Sequence, residues 1–415
     1  MAKPLRIFVS AGEASGDLYG SLLINRMREQ MGDVEVFGCG GNKMRAAGLQ
    51  ALVDANDLAM VGLLEVVPGL PRAWKALRRL KRSILARPPD LAVLIDFPDF
   101  NLRLAKTLRQ AGTPVVYFVA PQVWAWRQGR LKTIRQNVDR LLCIFPFEEE
   151  FFRRAGVRAE FVGHPLTELV HPRLGKAEFF TRFELPQDRP LVALLPGSRR
   201  GEISLNLPPM LGAAQEILKQ KPSYFVMPAA NTAGKQWLEA QVRAAGLPLK
   251  VLENHAYESL AYSQAAVVAS GTAAIEAALL RIPMVVVYRV SRPTYWLAKK
   301  LVRTPYYNMV NLVAGKPLVT EYIQDDFQPK NVAREILELL ESKQARESLS
   351  EGLKEIGEKL QAHGVQQTEQ EVQARGQGEP SAIQKRDGAI QRAVAIMESI
   401  LEKPLAGQRK TVGSI

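Results

Sequence analysis

Short apolar runs alternate with amphipathic stretches along most of the 415-residue chain, and this alternation most constrains the fold. Each apolar run has the length of a buried strand, and helix-like segments such as Leu18–Gln30 and Leu102–Gln110 lie between those of the first half. The pattern predicts an α/β protein in which helices cover both faces of parallel sheets. The predicted strands are Leu5–Val9, Val34–Phe37, Leu91–Ile95, Val115–Val119, Arg140–Ile144, Leu191–Leu195, Tyr224–Val226, Leu249–Leu252, Ala265–Val268 and Met284–Val287.

A lapse in this pattern divides the chain into two predicted domains. Residues 1–165 form the first, 166–190 a proline-punctuated connector, and 191–360 the second, with helix predicted from Asn331 to about Leu360. Segment 361–387 is polar and glutamine-rich, which favours a flexible insert. An amphipathic helix and tail are predicted in 388–415, packing on the body or on a partner subunit in a homodimer. Two doubly wound halves leave a cleft, and ligands bind beyond the carboxyl ends of the strands.

Cysteine content and hydropathy indicate a cytoplasmic location. The two cysteines, Cys39 and Cys143, cannot form a disulfide framework, which suits a reducing compartment. The N-terminal apolar run ends in Gly-Glu and Ser-Gly-Asp, as expected of a core strand and not of a secretory signal. No run of about 18 apolar residues occurs, so no membrane-spanning segment is predicted.

The chain has a net charge of +13, and two stretches that lack acidic residues carry much of its positive charge. Stretches of this kind suit anionic partners, namely phospholipid, a nucleotide, a phosphorylated substrate or nucleic acid. The alternative is a solvated surface that serves solubility alone. The basic residues of 66–89 are Arg72, Lys75, Arg78, Arg79, Lys81, Arg82 and Arg87, and those of 277–320 are Arg281, Arg289, Arg292, Lys299, Lys300, Arg303 and Lys316.

Two motifs in the first half follow predicted strands. Gly12, Glu13 and Ser15 belong to AGEASGD, in which the glycines permit a tight turn and the next helix can hold a polar ligand at its N-terminus. An ordinary N-capped helix is the alternative. Asp96 and Asp99 follow the strand Leu91–Ile95, where one carboxylate could accept a proton from an attacking hydroxyl and the other cap the next helix.

A third motif carries two tryptophans. Trp124 and Trp126 follow the strand Val115–Val119 in APQVWAWR, together with Gln122. Aromatic rings can stack on a sugar or line an apolar groove for lipid, and the alternative is that they fill the core.

Two motifs of the second half suit a nucleoside diphosphate. Gly197 and Ser198 lie between a strand and a helix, where backbone N–H groups can receive a diphosphate, and Arg199 can neutralise the leaving group. This device requires no metal, and the sequence has no D-x-D motif or histidine cluster. For this motif, the alternative is an ordinary turn with solvated arginines. The second motif supplies Ser270, Gly271, Thr272 and Glu276, the last placed for a ribose diol. Its alternative is a simple serine cap of the next helix.

In order and spacing, these motifs resemble the lipid-A-disaccharide synthase family. The resemblance covers most of the chain through AGEASGD, DFPDFN, APQVWAWRQ, FVGHP, LLPGSRRGE, ASGTAAIEA, Tyr288–Arg289 and NLVAGKPLVTE. It implies a GT-B fold of two Rossmann-like doubly wound domains facing each other across a cleft. Segment 361–387 has no counterpart in the family's pattern.

The resemblance also implies an inverting transfer without a metal or other cofactor. Members move 2,3-diacylglucosamine from UDP-2,3-diacylglucosamine to the 6-hydroxyl of 2,3-diacylglucosamine 1-phosphate, forming the β(1→6) disaccharide of lipid A and UDP. Asp99 is the first choice for the general base, with Asp96 in support, and Arg199 holds the UDP leaving group. The remaining donor residues are Gly197, Ser198, Ser270, Gly271, Thr272, Glu276, Tyr288, Asn311 and Glu321, and those on the acceptor side are Gly12, Glu13, Ser15, Gln122, Trp124 and Trp126.

Acylated substrates imply a peripheral protein on the cytosolic face of a Gram-negative inner membrane. An apolar stretch precedes the first basic stretch, and together they are predicted to bind anionic phospholipid. An ordinary core helix with a solvated basic face is the alternative. The predicted membrane residues are Met60, Val61, Leu63, Leu64, Val67, Trp74, Arg78, Arg79 and Arg82.

Two other functions stay open from the sequence. A UDP-sugar 2-epimerase or a peptidoglycan-type transferase would share the GT-B plan. A protein that binds anionic lipid or nucleic acid without catalysis would explain the charge, but no motif resembles one that reads RNA or DNA, so nucleic acid is not an expected partner.

Overall fold

The computed structural model describes residues 4–55, 58, 66–230, 234–301, 304–362 and 388–402. The chain divides into two compact units, an N-terminal unit of Met1–Pro165 with Gln361–Ile415 and a C-terminal unit of Leu166–Leu360. Nearly all of the predicted insert 361–387 lies outside the described residues. So do the predicted membrane residues Met60, Val61, Leu63 and Leu64, and the side chain of Val67.

The N-terminal unit is built on a parallel seven-stranded sheet in the order β3-β2-β1-β4-β5-β6-β7. Val9 in the central strand pairs with Gly38 on one side and Val93 on the other. Strand Leu91–Ile95 is apolar along its whole length and every residue of it is buried, because both faces of the sheet are covered. The strands are β1 Leu5–Ala11, β2 Val34–Gly40, β3 Gln50–Asp54, β4 Leu91–Ile95, β5 Val115–Phe118, β6 Arg140–Cys143 and β7 Ala159–Phe161.

A helix connects each of these parallel strands to the next one in the chain. Amphipathic spacing places Leu77, Leu80 and Ile84 of one helix in the core while charged residues of the same helix face solvent. The helices of this part are α1 Ala14–Met31, α2 Asn42–Ala46, α3 Val66–Ala86, α4 Pro98–Gln110, α5 Arg130–Asn137 and α6 Pro146–Arg154.

The C-terminal unit repeats the design with a parallel six-stranded sheet in the order β10-β9-β8-β11-β12-β13. Ala193 of its central strand pairs with Val226 and Ala266. The strands are β8 Leu191–Leu195, β9 Tyr224–Ala229, β10 Leu249–Glu253, β11 Ala265–Ala269, β12 Met284–Tyr288 and β13 Glu321–Ile323. The helices are α7 Leu166–Leu169, α8 Lys176–Arg182, α9 Arg200–Leu218, α10 Lys235–Arg243, α11 Ala256–Ala261, α12 Thr272–Leu279, α13 Arg292–Leu301, α14 Met309–Ala314, α15 Pro329–Glu341 and α16 Lys343–Leu360.

The last helix, α17 Ala389–Glu402, returns to the N-terminal unit and packs on α1. Ala393, Val394 and Met397 of this helix are fully buried. Its apolar face is therefore taken up within its own chain.

The prediction of two doubly wound parallel sheets is confirmed, and each predicted strand is present within three residues of its expected ends. Three strands were not predicted from the sequence, namely β3, β7 and β13. All three lie at a sheet edge and are short or only partly buried, so the apolar run that marks a central strand is absent from them.

A buried carboxylate joins the first two crossovers of the N-terminal unit. Asp17, the last residue of the AGEASGD motif, accepts hydrogen bonds from the backbone N–H groups of Gly41, Lys43 and Met44 at 2.7, 3.0 and 3.1 Å. These groups begin α2 and would otherwise lack partners in a buried place. Asp17 thus acts as a cap for α2 from a distant position in the sequence.

Replacing Asp17 by alanine leaves three N–H groups without their acceptor. We expect Asp17→Ala to lower the free energy of unfolding by about 1–3 kcal/mol, measured by urea denaturation. Glu29→Ala is the matched control, since this exposed residue of α1 pairs with Arg26 alone among the described residues and should change stability by less than about 0.5 kcal/mol. Equal stability of Asp17→Ala and wild type would contradict the assigned role.

Candidate functional site

The growth of the first sheet reverses between β1 and β4, and candidate residues follow both strands. Gly12 and Glu13 come directly after β1, and Asp96 comes directly after β4. A Cβ atom on Gly12 would lie 2.4 Å from a ring atom of Phe97, so only glycine permits this approach of the two loops. Ligands bind at such reversal points in open α/β sheets because the flanking loops diverge there.

The backbone after β4 adopts a rarely populated conformation. Asp96 and Phe97 have φ angles of 46° and 50°, a left-handed region that costs a residue with a side chain roughly 1 kcal/mol or more. Asn101 stabilises it by donating from Nδ2 to the Asp96 carbonyl at 2.8 Å, and the Tyr117 hydroxyl donates to the same oxygen at 2.5 Å. Ser10 of β1 holds the Asn101 amide oxygen at 2.7 Å. The turn that presents Asp96 is therefore fixed by buried hydrogen bonds.

The carboxyl group of Asp96 is electrostatically unusual. Burial, and then the neighbouring Glu13 carboxylate, raise the pKa of Asp96 from 3.8 to about 6, against the opposing effect of the Phe97 N–H. A carboxyl with this pKa is mostly ionised at neutral pH yet basic enough to accept a proton.

Asp99 lies in a different environment three residues later. Its side chain is 69% exposed and pairs with the guanidinium groups of Arg127 and Arg130. The Arg127 Nη1 atom lies 3.1 and 3.3 Å from the two carboxylate oxygens. Trp126 of the double-tryptophan loop packs beneath Arg127, whose guanidinium carbon lies 4.2 Å from the ring centroid.

The other tryptophan is anchored to a buried acid. The Trp124 Nε1 atom donates to the Glu148 Oε1 atom at 3.1 Å, and its ring meets Phe147 edge to face. Burial raises the pKa of Glu148 to about 8, against the hydrogen bonds from Trp124 and the Phe145 backbone. Trp124 packs against the core, as the structural alternative predicted, whereas Gln122 is exposed.

The second sheet reverses between β8 and β11, and both predicted nucleotide motifs lie there. Gly197 has a φ of 122°, and a Cβ atom on it would lie 2.4 Å from the Glu202 side chain. Glu202 Oε2 accepts from the Ser198 N–H at 3.1 Å, which orders the turn. Arg199 is exposed and directly precedes α9.

The loop after β11 is more open. Gly271 has a φ of 151° and directly precedes α12, and both it and Thr272 are exposed. The Ser270 hydroxyl donates to the Tyr307 carbonyl at 3.3 Å. Burial raises the pKa of Glu276, which accepts a hydrogen bond from the Tyr257 hydroxyl at 3.4 Å. Burial, and then Glu202, raise the pKa of Tyr288 at the end of β12.

Two residues that were predicted to bind the sugar donor form hydrogen bonds within the protein. Asn311 is buried and donates from Nδ2 to the Val319 carbonyl at 2.9 Å and to Glu321 Oε1 at 2.8 Å. Glu321 also accepts from the backbone N–H of Tyr307 and from Asn308. These contacts favour a role in shaping the loop over direct contact with a nucleotide.

Helix α3 presents the predicted basic surface. Trp74 is 48% exposed, and the Arg78 guanidinium carbon lies 3.8 Å from the centroid of its ring. Arg79 and Arg82 are exposed on the same helix, opposite its core face. Among the helices that the structure describes, none is both long and apolar enough to cross a bilayer.

Several residues of the site gave no separate signal in the sequence. Asn101 ends the DFPDFN motif and Arg130 follows the double-tryptophan loop, but neither could be assigned a partner without the fold. Asn206 is buried in α9 and connects the Pro196 carbonyl to the Arg289 N–H at 3.1 and 2.9 Å. Glu148 stands among other acids in PFEEE, and only its burial separates it from them. Among the described residues, no three His, Cys, Asp or Glu side chains could together hold a metal ion.

The raised pKa of Glu148 predicts how stability depends on pH. Between about pH 4.5 and 8 the folded chain keeps this proton and the unfolded chain releases it, so stability falls as pH rises, by at most about 1.4 kcal/mol per pH unit. We expect the urea midpoint to fall from about pH 6.5 to 8, a range above the pKa of Asp96, and to fall less in Glu148→Gln. Identical slopes in the two proteins would contradict a neutral buried Glu148.

A family model described as "Lipid-A-disaccharide synthetase" matches residues 7–375. The lipid-A-disaccharide synthase of Solibacter usitatus is 48% identical over 355 residues, covering 86% of this chain and 93% of that protein. The enzyme of the same name from Acidobacterium capsulatum is 45% identical over 377 residues, covering 88% and 94%. That from Myxococcus xanthus is 42% identical over 366 residues, covering 88% and 96%.

Solved structures resemble the chain in fold alone. The calicheamicin glycosyltransferase CalG4 matches with a TM-score of 0.59 at 16% identity, covering 98% of this chain and 100% of that one. The UDP-GlcNAc 2-epimerase of Neisseria meningitidis, bound to UDP-GlcNAc, matches with a TM-score of 0.55 at 13% identity, covering 86% and 97%. The predicted GT-B class is confirmed. Because the family match spans nearly the whole chain, the chain belongs to the lipid-A-disaccharide synthase family.

Proposed function

We propose that the chain transfers 2,3-diacylglucosamine from UDP to the 6-hydroxyl of 2,3-diacylglucosamine 1-phosphate with inversion, and that Asp96 is the general base. The observation that carries the assignment is the raised pKa of Asp96 at the reversal point between β1 and β4. Deprotonating the hydroxyl as it attacks makes the oxygen a stronger nucleophile, and direct attack on the anomeric carbon inverts its configuration without a covalent enzyme intermediate.

The choice of Asp96 over Asp99 rests on their surroundings. Two guanidinium groups form ion pairs with the Asp99 carboxylate, so its oxygens already have partners within the protein. Asp96 has no such partner in the pairs that the structure describes, and Glu13 favours its protonation. Asp99, the first choice from the sequence, is proposed to order the arginines.

On the donor side, the two loops of the second reversal point would receive UDP. The N–H groups around Gly197 and Ser198, with the helix N-terminus behind them, suit the diphosphate, and Arg199 supplies a positive charge. Ser270, Gly271, Thr272 and Glu276 follow the neighbouring strand and suit the rest of the nucleotide. As charge develops on the leaving UDP, these groups would stabilise it.

Acylated substrates also require access to lipid. We place the exposed face of α3 against an anionic bilayer, on the cytosolic side of the inner membrane, with Arg78, Arg79, Arg82 and Trp74 at the headgroups. Tryptophan is favoured at such interfaces because its ring is apolar and its N–H polar.

Asparagine at position 96 keeps the shape of the side chain but cannot accept the proton. We expect Asp96→Asn to lower kcat by about 10²–10⁴-fold, and Asp99→Asn to lower it far less. In the wild type, kcat/KM should rise with pH through an apparent pKa near 6, because only ionised Asp96 is active. A greater loss of kcat in Asp99→Asn than in Asp96→Asn would restore Asp99 as the base.

Arg199 should be required for departure of UDP. We expect Arg199→Ala to lose about 10-fold or more of kcat/KM at unchanged stability, since a charge-assisted hydrogen bond contributes roughly 1.5–3 kcal/mol. Arg199→Lys should restore little because the planar fork is absent. Full activity of the lysine variant, or loss of activity on chelation with EDTA, would contradict this part of the mechanism.

Reversing the charge of Arg78, Arg79 and Arg82 should release the protein from anionic liposomes. Each basic residue near such a surface contributes about 1 kcal/mol, so three reversals are enough to weaken binding strongly. Activity should fall more on substrates in membranes than on substrates in detergent. Undiminished liposome binding by the folded triple variant would assign α3 to an ordinary solvated surface.

A further inference from the structure

Two arginines converge on one exposed carboxylate beside the proposed base. Arg127 Nη1 lies 3.1 Å from Asp99 Oδ1, and Arg130 Nη2 contacts the same oxygen. The Arg130 side chain is 17% exposed and that of Arg127 48%, whereas Asp99 is 69% exposed. Two guanidinium groups thus pair with one carboxylate, which leaves the cluster with a net charge of about +1 at neutral pH.

The Trp126 ring and the local backbone hold the two arginines in place. The Trp126 ring centroid lies 4.2 Å from the Arg127 guanidinium carbon and 5.9 Å from that of Arg130. Arg127 has a φ of 57°, a strained conformation for a residue with a side chain. Arg130 is fixed at the first turn of α5. Such ordering lowers the entropy that the two long side chains lose when they bind a ligand.

Hydrogen-bonding capacity remains unused in the cluster. A guanidinium group carries five N–H donors, and among the described residues Asp99 is the one hydrogen-bonding partner of the Arg127 and Arg130 guanidinium groups. The free donors of two ordered guanidinium groups match the oxygens of a phosphate monoester, which accepts bidentate pairs and carries about two negative charges.

The cluster lies next to Asp96. Tyr117 donates its hydroxyl hydrogen to the Asp96 carbonyl at 2.5 Å. The charges of Asp96, Arg130 and Asp99 all act on this same buried phenol. A ligand on the arginines would therefore lie beside the residue that we propose to activate the acceptor hydroxyl.

We propose that Arg127 and Arg130, ordered by Asp99 and Trp126, bind the anomeric phosphate of the acceptor and select a phosphorylated acceptor over one without phosphate. This proposal rests on the proposed function, which supplies the acceptor. The acceptor carries its phosphate on C1 and its reacting hydroxyl on C6 of one sugar ring, so the phosphate site and the base have to be neighbours. Binding the phosphate would orient the ring and bring the hydroxyl to Asp96.

The test compares two detergent-dispersed acceptors, 2,3-diacylglucosamine 1-phosphate and the same sugar lacking the phosphate. The release of UDP is measured for wild type, Arg127→Gln, Arg130→Gln and a control, Arg109→Gln. Arg109 also forms an arginine–aspartate pair, with Asp139 at 3.0 Å, but near the opposite end of α4 from Asp99. Circular dichroism checks that each variant is folded, and UDP binding, measured by calorimetry, checks that the donor site is intact.

We expect the wild type and Arg109→Gln to prefer the phosphorylated acceptor. Each site variant should lose about 10-fold or more of that preference, mainly through KM, because about 1.4 kcal/mol of lost hydrogen bonding corresponds to tenfold in affinity. Turnover of the acceptor without phosphate should change little. A lysine at either position should recover only part of the preference, since it lacks the planar fork.

Three results would overturn the proposal. The variants could keep the full preference, which would place the phosphate elsewhere, or lose both acceptors equally, which would indicate a structural role. They could also lose binding to phosphatidylglycerol vesicles while keeping the preference, which would assign the arginines to lipid headgroups. If the wild type releases no UDP with either acceptor, the proposed function itself fails.

Discussion

Each sheet reverses its direction of growth once, between β1 and β4 in the first and between β8 and β11 in the second, and the site depends on this constraint. Right-handed crossovers carry the chain outward on one side of the first strand and then on the other. The loops at the point of reversal therefore diverge and leave a crevice between them. The motifs around Glu13 and Asp96, and those around Ser198 and Thr272, are distant in sequence. Parallel topology brings each pair to neighbouring strands.

Three acidic side chains of the N-terminal unit have different chemical properties. Asp96 is partly buried near another carboxylate, Asp99 is exposed beside two arginines, and Glu148 is fully enclosed. Burial raises the pKa of Asp96 and of Glu148, whereas ion pairs hold the Asp99 carboxylate, so carboxyl groups can supply a base, an electrostatic support and a neutral hydrogen-bonding group. The environment, and not the residue type, distinguishes their roles.

The central strands and the motif loops were predictable because buried parallel strands read as continuous apolar runs that end in glycine-containing turns. The edge strand Gln50–Asp54 was not, because it is only partly buried. The different surroundings of Asp96 and Asp99 were also beyond the sequence, since Glu13 and Arg130 approach them through the fold. Asn311 and Glu321 matched a family motif, yet their contacts with each other and with the backbone became visible only in three dimensions.

In the proposed reaction, the acceptor hydroxyl is activated at the first crevice and attacks the donor sugar directly. The most direct test incubates the purified chain with UDP-2,3-diacylglucosamine and 2,3-diacylglucosamine 1-phosphate and determines the linkage and anomeric configuration of the product by NMR. We expect one UDP to be released for each β(1→6) disaccharide formed. An α-linked disaccharide, or a 2-epimerised sugar without any disaccharide, would contradict it.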